Sequence, residues 1–156
     1  MISPALAQNT VYIDQVGSNN TITVDQTTQS KSTTVTTKGS WNEFQIIQQG
    51  SGTHSSSITQ LYVMSLNNNN IFSVDQRGKA NHTANILMSN PTANNSNSAA
   101  IFQNGDMGAN KTFNLTLNGS SIGVTVTQNN LTVPDVSSMT ITCLTPPCSG
   151  YSYTRN

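Results

Sequence analysis

The chain has 156 residues, no net charge at neutral pH and only 8% charged residues, against the ~25% that is typical of a soluble domain. Its six Lys and Arg are scattered and form no basic face, which excludes nucleic acid as a partner, and no apolar run is long enough for a transmembrane helix. Asn, Gln, Ser and Thr replace the charges, and a hydrophobic share of 34% is small for an ordinary globular core. The chain is therefore either disordered or folded by a scheme that relies on backbone hydrogen bonds and stacked amides.

Residues 1–8 are interpreted as a leader or the remnant of a signal peptide. Ala5-Leu6-Ala7 has the small-x-small pattern that precedes a signal-peptidase cleavage site, which would make Gln8 the mature N-terminus. This pattern favours export and a secreted, extracellular location. The alternative is an ordinary short leader on an unprocessed protein.

A repeat begins at Asn9. Asn9 is followed by apolar residues two and four positions later and by Gln15 six positions later, and the same order returns eleven residues on, from Asn20 to Gln26. Alternation of period two is typical of a half-buried strand, and Gly17 supplies the turn between the two halves. Each eleven-residue unit is therefore a strand and a turn, and two units form a rung of about 22 residues whose two strands face each other.

Degraded copies of the unit follow along the chain. The pattern is complete again at residues 42–50, partial at 31–39, 70–81 and 97–105, and reduced to alternation beyond Phe113. Residues 51–69 and 88–98 are expected to interrupt the rungs. The residues assigned to stacked ladders and to turns are Asn9, Gln15, Gly17, Asn20, Gln26, Gly39, Asn42, Gln48, Gly50, Asn70, Gln76, Gly78, Asn81, Gln103 and Gly105.

The repeated amides predict how the rungs stack. A buried amide is costly unless it is hydrogen-bonded, and stacking of Asn on Asn and Gln on Gln at the ~4.8 Å strand spacing provides the bonds. The fold predicted for residues 9–133 is all-β, a β-solenoid of strand-turn-strand rungs with amyloid-like cross-β stacking. The alternative is a low-complexity segment whose spacing is coincidental.

The first rung resembles a known family. Gln15-x-Gly17-x-x-Asn20, closed by Gln26, is similar to the curlin repeat of curli fibre subunits. The resemblance implies a secreted, amyloid-like subunit that self-assembles into surface fibres used in adhesion and in the biofilm matrix. We expect copies of the chain to join head to tail into a homopolymer by edge-strand addition, with a secretion channel or a nucleator as further candidate partners.

Two departures from the family leave an alternative open. The interruptions at 51–69 and 88–98 and the tail at 134–156 are not typical of curli subunits. They suit a bacteriophage virion or tail-fibre component, or a surface adhesin, that uses a capped solenoid to bind a receptor.

The tail, residues 134–156, is expected to be a cap or a docking element. Pro134, Pro146 and Pro147 cannot donate to a β-ladder, and Cys143 and Cys148 are placed to close a small loop. Two cysteines in an exported protein favour a disulfide, and metal binding is the rival interpretation.

No catalytic motif is present in the sequence. His54 and His82 are isolated among Ser, Thr and Asn and are expected to be exposed, and Gly105-Asp106-Met107-Gly108 lacks the Lys of a phosphate-binding loop. The chain is therefore predicted not to be an enzyme and to need neither a cofactor nor a metal, and no membrane insertion is expected.

Overall fold

A computed structural model describes residues 8–28, 30–61, 70–89, 97–119, 121–143 and 148–156. All regular secondary structure in these segments is β-strand. These segments contain no helix that is long and apolar enough to cross a membrane. The strands form two parallel sheets of six strands each, and consecutive strands alternate between the sheets. This arrangement is a β-solenoid, which confirms the predicted fold class.

The odd-numbered strands form one sheet, in spatial order β1 (Thr10–Val16), β3 (Lys31–Lys38), β5 (His54–Leu61), β7 (His82–Ser89), β9 (Lys111–Gly119) and β11 (Asp135–Cys143). The even-numbered strands form the other, in spatial order β2 (Thr21–Gln26), β4 (Glu43–Gln48), β6 (Ile71–Gly78), β8 (Ser98–Gly105), β10 (Ile122–Gln128) and β12 (Cys148–Arg155). Each odd strand and the even strand after it make one rung, so the described residues contain six rungs.

The step from one rung to the next varies along the chain. Gln26 lies beside Gln48, 22 residues later, as the predicted repeat requires. The next steps in the same column are 28, 27 and 25 residues. Extra residues are therefore accommodated in the turns, while the register within the sheets is kept.

The core lies between the two sheets and consists of inward side chains of both. Inward and outward residues alternate strictly in the central strands, and inward residues such as Val35, Ile46 and Val74 are fully buried. The rings of Phe44 and Phe72, in adjacent rungs, stack with their centroids 5.4 Å apart. Several inward positions are occupied by polar residues that hydrogen-bond to the next rung, such as Gln48 and Gln76, so a chain with 34% hydrophobic residues can fill this core.

Two segments that were expected to lie outside the regular rungs contain strands. Residues 51–69 were expected to interrupt the rungs, but β5 occupies their first half in register with β3 and β7. The tail, residues 134–156, contributes β11 to one sheet and β12 to the other. The rest of the first segment, residues 62–69, and most of the second expected interruption, residues 90–96, lie outside the described residues.

Candidate functional site: amide ladders and sheet edges

A column of glutamine side chains crosses the interior from the first rung to the fifth. Its members are Gln26, Gln48, Gln76, Gln103 and Gln128. At every step the Nε2 of one glutamine donates to the Oε1 of the next at 2.8 Å. All but Gln26 are fully buried, so the ladder supplies the hydrogen bonds that burial requires. Because every Nε2 donates toward the C-terminal end, the ladder has a direction.

Asparagines form a second ladder at the corner where each even strand begins. The Nδ2 of Asn42 donates to the Oδ1 of Asn20, and the Nδ2 of Asn70 donates to the Oδ1 of Asn42, both at 2.9 Å. The Oδ1 atoms of Asn20 and Asn42 also accept the backbone N–H of the asparagine in the following rung. The Oδ1 of Asn70 likewise accepts the backbone N–H of Asn97, at 3.0 Å. The Oδ1 of Asn97 accepts the N–H of Ile122 at 2.8 Å, where the ladder ends.

The remaining amides from the sequence analysis lie outside both ladders. Gln15 is exposed, neighbours Thr37 in its column and donates to the carbonyl of Gly17 at 3.4 Å. Asn9 and Asn81 lie at corners of the odd-numbered sheet. The Oδ1 of Asn9 accepts the backbone N–H of Lys31 at 3.0 Å, and the Oδ1 of Asn81 accepts that of Thr53 at 2.9 Å.

The predicted turn glycines stack on one another. Gly17 lies beside Gly39, and a Cβ on Gly17 would be 2.0 Å from the Gly39 carbonyl oxygen. Gly50 has a φ of +97°, and a Cβ there would be 2.2 Å from the carbonyl oxygen of Gly78. Gly78 stands in the same relation to Gly105, at 2.3 Å. Backbone therefore contacts backbone at these turns, and a larger residue does not fit.

A column of ionisable side chains, which was not predicted from the sequence, fills the corner where the odd strands begin. Lys31, His54, His82, Lys111 and Asp135 follow one another in register, and each is at most 3% exposed. The expectation that the two histidines are exposed was wrong. The only sequence signal was their register, since each occupies the position that Asn9 holds in the first rung.

The histidines of this column are held neutral. Burial lowers the pKa of His54 to about 4. The hydrogen bond to the Gln49 carbonyl acts to raise this pKa, whereas the positive charge of Lys31 acts to lower it. Burial likewise lowers the pKa of His82 to about 4, assisted by the neighbouring His54 and by Lys111. Burial also lowers the pKa values of both lysines.

The C-terminal end of the solenoid is closed by a polar cluster around Asp135. Its carboxylate accepts from Gln128 at 2.8 Å, Ser137 at 2.7 Å and Tyr153 at 2.9 Å, and Arg155 lies 3.5 Å away. Burial alone would raise the pKa of Asp135, but these hydrogen bonds and the Arg155 charge lower it below its usual value.

Beside this cluster the last rung covers the apolar core. The ring of Tyr153 lies 5.2 Å from that of Phe113, measured between centroids. Cys143 and Cys148 form a disulfide that joins β11 to β12, and Ile141 is 5% exposed.

The N-terminal end is open by comparison. Every residue of β1 is exposed, including Val11 at 47% and Ile13 at 46%, although both are in register with inward residues of β3. The outer backbone edges of β1 and β2 have no neighbouring strand within the described residues. An uncovered edge of this kind is a template for another chain.

The described residues contain no group of three or more His, Cys, Asp or Glu side chains placed to bind a metal ion. No curated protein and no solved structure matched the chain. The family model of the curlin associated repeat matches residues 7–27. These residues span the first rung, whose Gln26 and Asn20 begin the two ladders. The chain thus carries a curlin associated repeat in its first rung, and the resemblance inferred from Gln15-x-Gly17-x-x-Asn20 and Gln26 is confirmed.

Proposed function

We propose that this chain is the structural subunit of an extracellular, curli-like fibre, in which copies join head to tail through the edges of their sheets. The fibre would serve in adhesion and in a biofilm matrix, and the proposal assigns the chain no catalytic role. The observation that carries it is that, within the described residues, each parallel sheet ends at the first and at the last rung in a strand that has a strand neighbour on one side only.

The parallel geometry favours head-to-tail addition. β11 and β12 at one end run in the same directions as β1 and β2 at the other, because every pairing in both sheets is parallel. The last rung of one copy can therefore hydrogen-bond to the first rung of the next in the pattern already used within the chain. Backbone bonds would supply the affinity and side-chain columns the specificity.

The column that contains the glutamine ladder has an acceptor, Gln26, in the first rung and a donor, Arg155, in the last. Gln26 opens the ladder, and within the described residues its Oε1 accepts no hydrogen bond. Arg155 occupies the same column in the last rung, beside Gln128, with its side chain about half exposed. In a head-to-tail stack the guanidinium of Arg155 would donate to Gln26 of the following copy, continuing the ladder in its existing direction. A head-to-head contact would instead place two acceptors together.

The apolar columns would also continue across such a contact. Met139 of β11 lies at the end of the inward column that begins with Ile13. Stacking the next copy on β11 would cover Val11 and Ile13, which are about half exposed in the single chain. Removing this apolar surface from water favours association.

Variants at the last rung test the proposal. The wild-type chain is expected to form unbranched fibres that bind thioflavin T, and Arg155→Gln is expected to preserve growth because an amide continues the ladder. Arg155→Glu should slow growth at least tenfold because it presents an acceptor to Gln26. Arg77→Glu is the matched control, since Arg77 is exposed and its ion pair with Asp75 lies away from both edges.

Two outcomes would count against the proposal. Discrete, dye-negative particles from the wild-type chain would mean that the edges do not pair. Equal slowing by Arg155→Glu and Arg77→Glu would mean that charge alone, and not the ladder, governs assembly.

A second candidate is a virion, tail-fibre or adhesin component whose solenoid is capped. The cluster around Asp135 and the disulfide between Cys143 and Cys148 favour it, because they close the end of the core within one chain. On this alternative the last rung is a permanent end and the loops would bind a receptor. A monomeric or singly paired chain at every concentration would support it over the fibre.

A further inference from the structure

His54 and His82 are two buried titratable residues of adjacent rungs that play no part in the amide ladders. They occupy the same position in the third and fourth rungs, and their rings are parallel within 2°, with centroids 5.0 Å apart. Both residues are 0% exposed. Lys31 of the second rung and Lys111 of the fifth flank them in the same column. Four basic side chains therefore follow one another along the axis.

The hydrogen bonds fix both rings in one neutral form. The Nε2 atoms of His54 and His82 donate to the carbonyls of Gln49 and Arg77, each at 2.8 Å. The Nδ1 of His82 accepts the backbone N–H of Lys111 at 3.2 Å, and the same N–H also donates to the Asn81 carbonyl at 3.2 Å. The Nδ1 of His54 is buried and has no partner in the described part of the chain.

A second proton is disfavoured at both rings. On His82 it would meet the N–H of Lys111, which points at Nδ1, and its acceptor would be the Asn81 carbonyl, which already accepts that N–H. On His54 it would be a buried donor without a partner in the described residues. It would also create a positive charge in a site from which water is excluded, beside the other ring.

We propose that the His54–His82 stack is an acid-sensitive latch, which holds the third and fourth rungs together while its rings are neutral and separates them when the rings are protonated. The inference concerns the single chain and does not depend on whether copies assemble into fibres.

No buried carboxylate lies beside the latch in the described residues, and the charged side chains of the adjacent turns, Lys79 and Asp106, are exposed to solvent. Lys31 from β3 and Lys111 from β9 add like charge, and Asp135 lies beyond Lys111, already engaged by its own donors. On the facing sheet Glu43 is exposed, and Asp75 is paired with Arg77 on the outer surface. Protonation would therefore place like charges side by side without compensation.

The direction of the pH dependence follows from the histidine pKa values. Each folded-state pKa is about 4, against 6.5 for an exposed histidine, so the unfolded chain binds more protons between those values. The stabilisation is then fully present above about pH 6.5 and is lost progressively as the pH falls toward about 4. Two such rings lower the folded-to-unfolded ratio by roughly fiftyfold per pH unit near about pH 5.5.

The test compares the full chain with the double variant His54→Gln/His82→Gln. Glutamine places an amide N–H where each Nε2–H donates, and it cannot be protonated. Denaturant titrations of dilute, non-assembled protein between about pH 7 and about pH 4 should show the wild type losing stability much more steeply than the variant. The carboxylates titrate in both proteins, so the difference isolates the histidines. Equal slopes would overturn the proposal.

A measurement on the wild type keeps the proposal testable if the double variant does not fold. The proton resonances of the two rings should stay unshifted as the pH falls to about 5, and backbone N–H exchange in β5 to β8 should accelerate below that value before exchange in β9 and β10. Rings that titrate near their ordinary pKa while the fold stays intact would overturn the latch.

Discussion

Gln76 lies at the centre of the glutamine ladder, and its replacement by Leu tests whether the ladder stabilises the fold. The side chain is fully buried; its Nε2 donates to the Ser55 carbonyl at 2.9 Å and to Gln103 Oε1 at 2.8 Å, and its Oε1 accepts from Gln48 at 2.8 Å. Leucine has nearly the same volume but can make none of these bonds.

The expected loss follows from the groups left behind. Gln48 keeps its bond to the carbonyl of Ser32 at 3.1 Å, whereas Gln103 Oε1 and the Ser55 carbonyl each lose a donor. Loss of the donor to the buried Gln103 Oε1 costs about 1–3 kcal/mol and loss of the bond to the half-buried Ser55 carbonyl about 0.5–1.5 kcal/mol, while the additional apolar surface of leucine returns about 0.8 kcal/mol. We therefore expect Gln76→Leu to lower the free energy of unfolding by about 1–4 kcal/mol.

The control is Gln45→Leu, at an outward, exposed position of β4. It makes the same chemical change without touching the ladder, so its effect should stay within about 0.5 kcal/mol. Both variants would be unfolded with urea and followed by circular dichroism under non-assembling conditions. If Gln76→Leu were as stable as Gln45→Leu or the wild type, the amide ladder would not be a source of stability.

Three further changes probe the turns, the tail and the open edge. Gly50→Ala should lower the free energy of unfolding by about 2–4 kcal/mol because the added Cβ meets backbone. Gly108 has a φ of +89° but open space around it, so Gly108→Ala should lower the free energy of unfolding by only about 1–2 kcal/mol. Equal shifts of the thermal midpoint in the two variants would contradict the stacked turns. Replacing Cys143 and Cys148 by Ser should cost about 2 kcal/mol, seen as faster hydrogen exchange in β11 and β12; unchanged exchange would show that the short loop adds nothing. Gln26→Leu should lengthen the lag of fibre growth, and unchanged growth would count against the ladder between copies.

Much of the fold could be predicted because its signals are local. The alternation in residues 9–26 predicts strands, and the glycine two positions after Gln15 predicts the turn. The recurrence of Gln at 48, 76 and 103 predicts a column, since parallel stacking brings equal positions together. These features depend on period and phase, which a sequence displays directly.

β5 was not predicted, because Ile58 is the one apolar residue among its inward positions and its sequence therefore shows no apolar alternation. Its stability depends on partners in adjacent rungs, such as the 3.1 Å contact between the hydroxyls of Ser56 and Thr33. A serine is favourable inside only when such a partner is opposite it, and the partner lies 23 residues away.

The column of ionisable residues was missed for the same reason. His54 and His82 have no motif around them, and their burial depends on a step of 28 residues between rungs that the ideal repeat does not give. The tail was interpreted as lying beyond the repeats because its prolines argue against strands, yet β11 ends and β12 begins around the segment that contains two of them.

End-to-end stacking of whole solenoids is tested by the mass per unit length of the thinnest fibres in scanning transmission electron microscopy. Six rungs at the ~4.8 Å strand spacing give each copy about 29 Å of fibre axis, so we expect one chain of 16.6 kDa per ~29 Å. A value several times larger, approaching one chain per ~4.8 Å layer, would mean that each chain contributes a single layer and that the solenoid does not survive in the fibre.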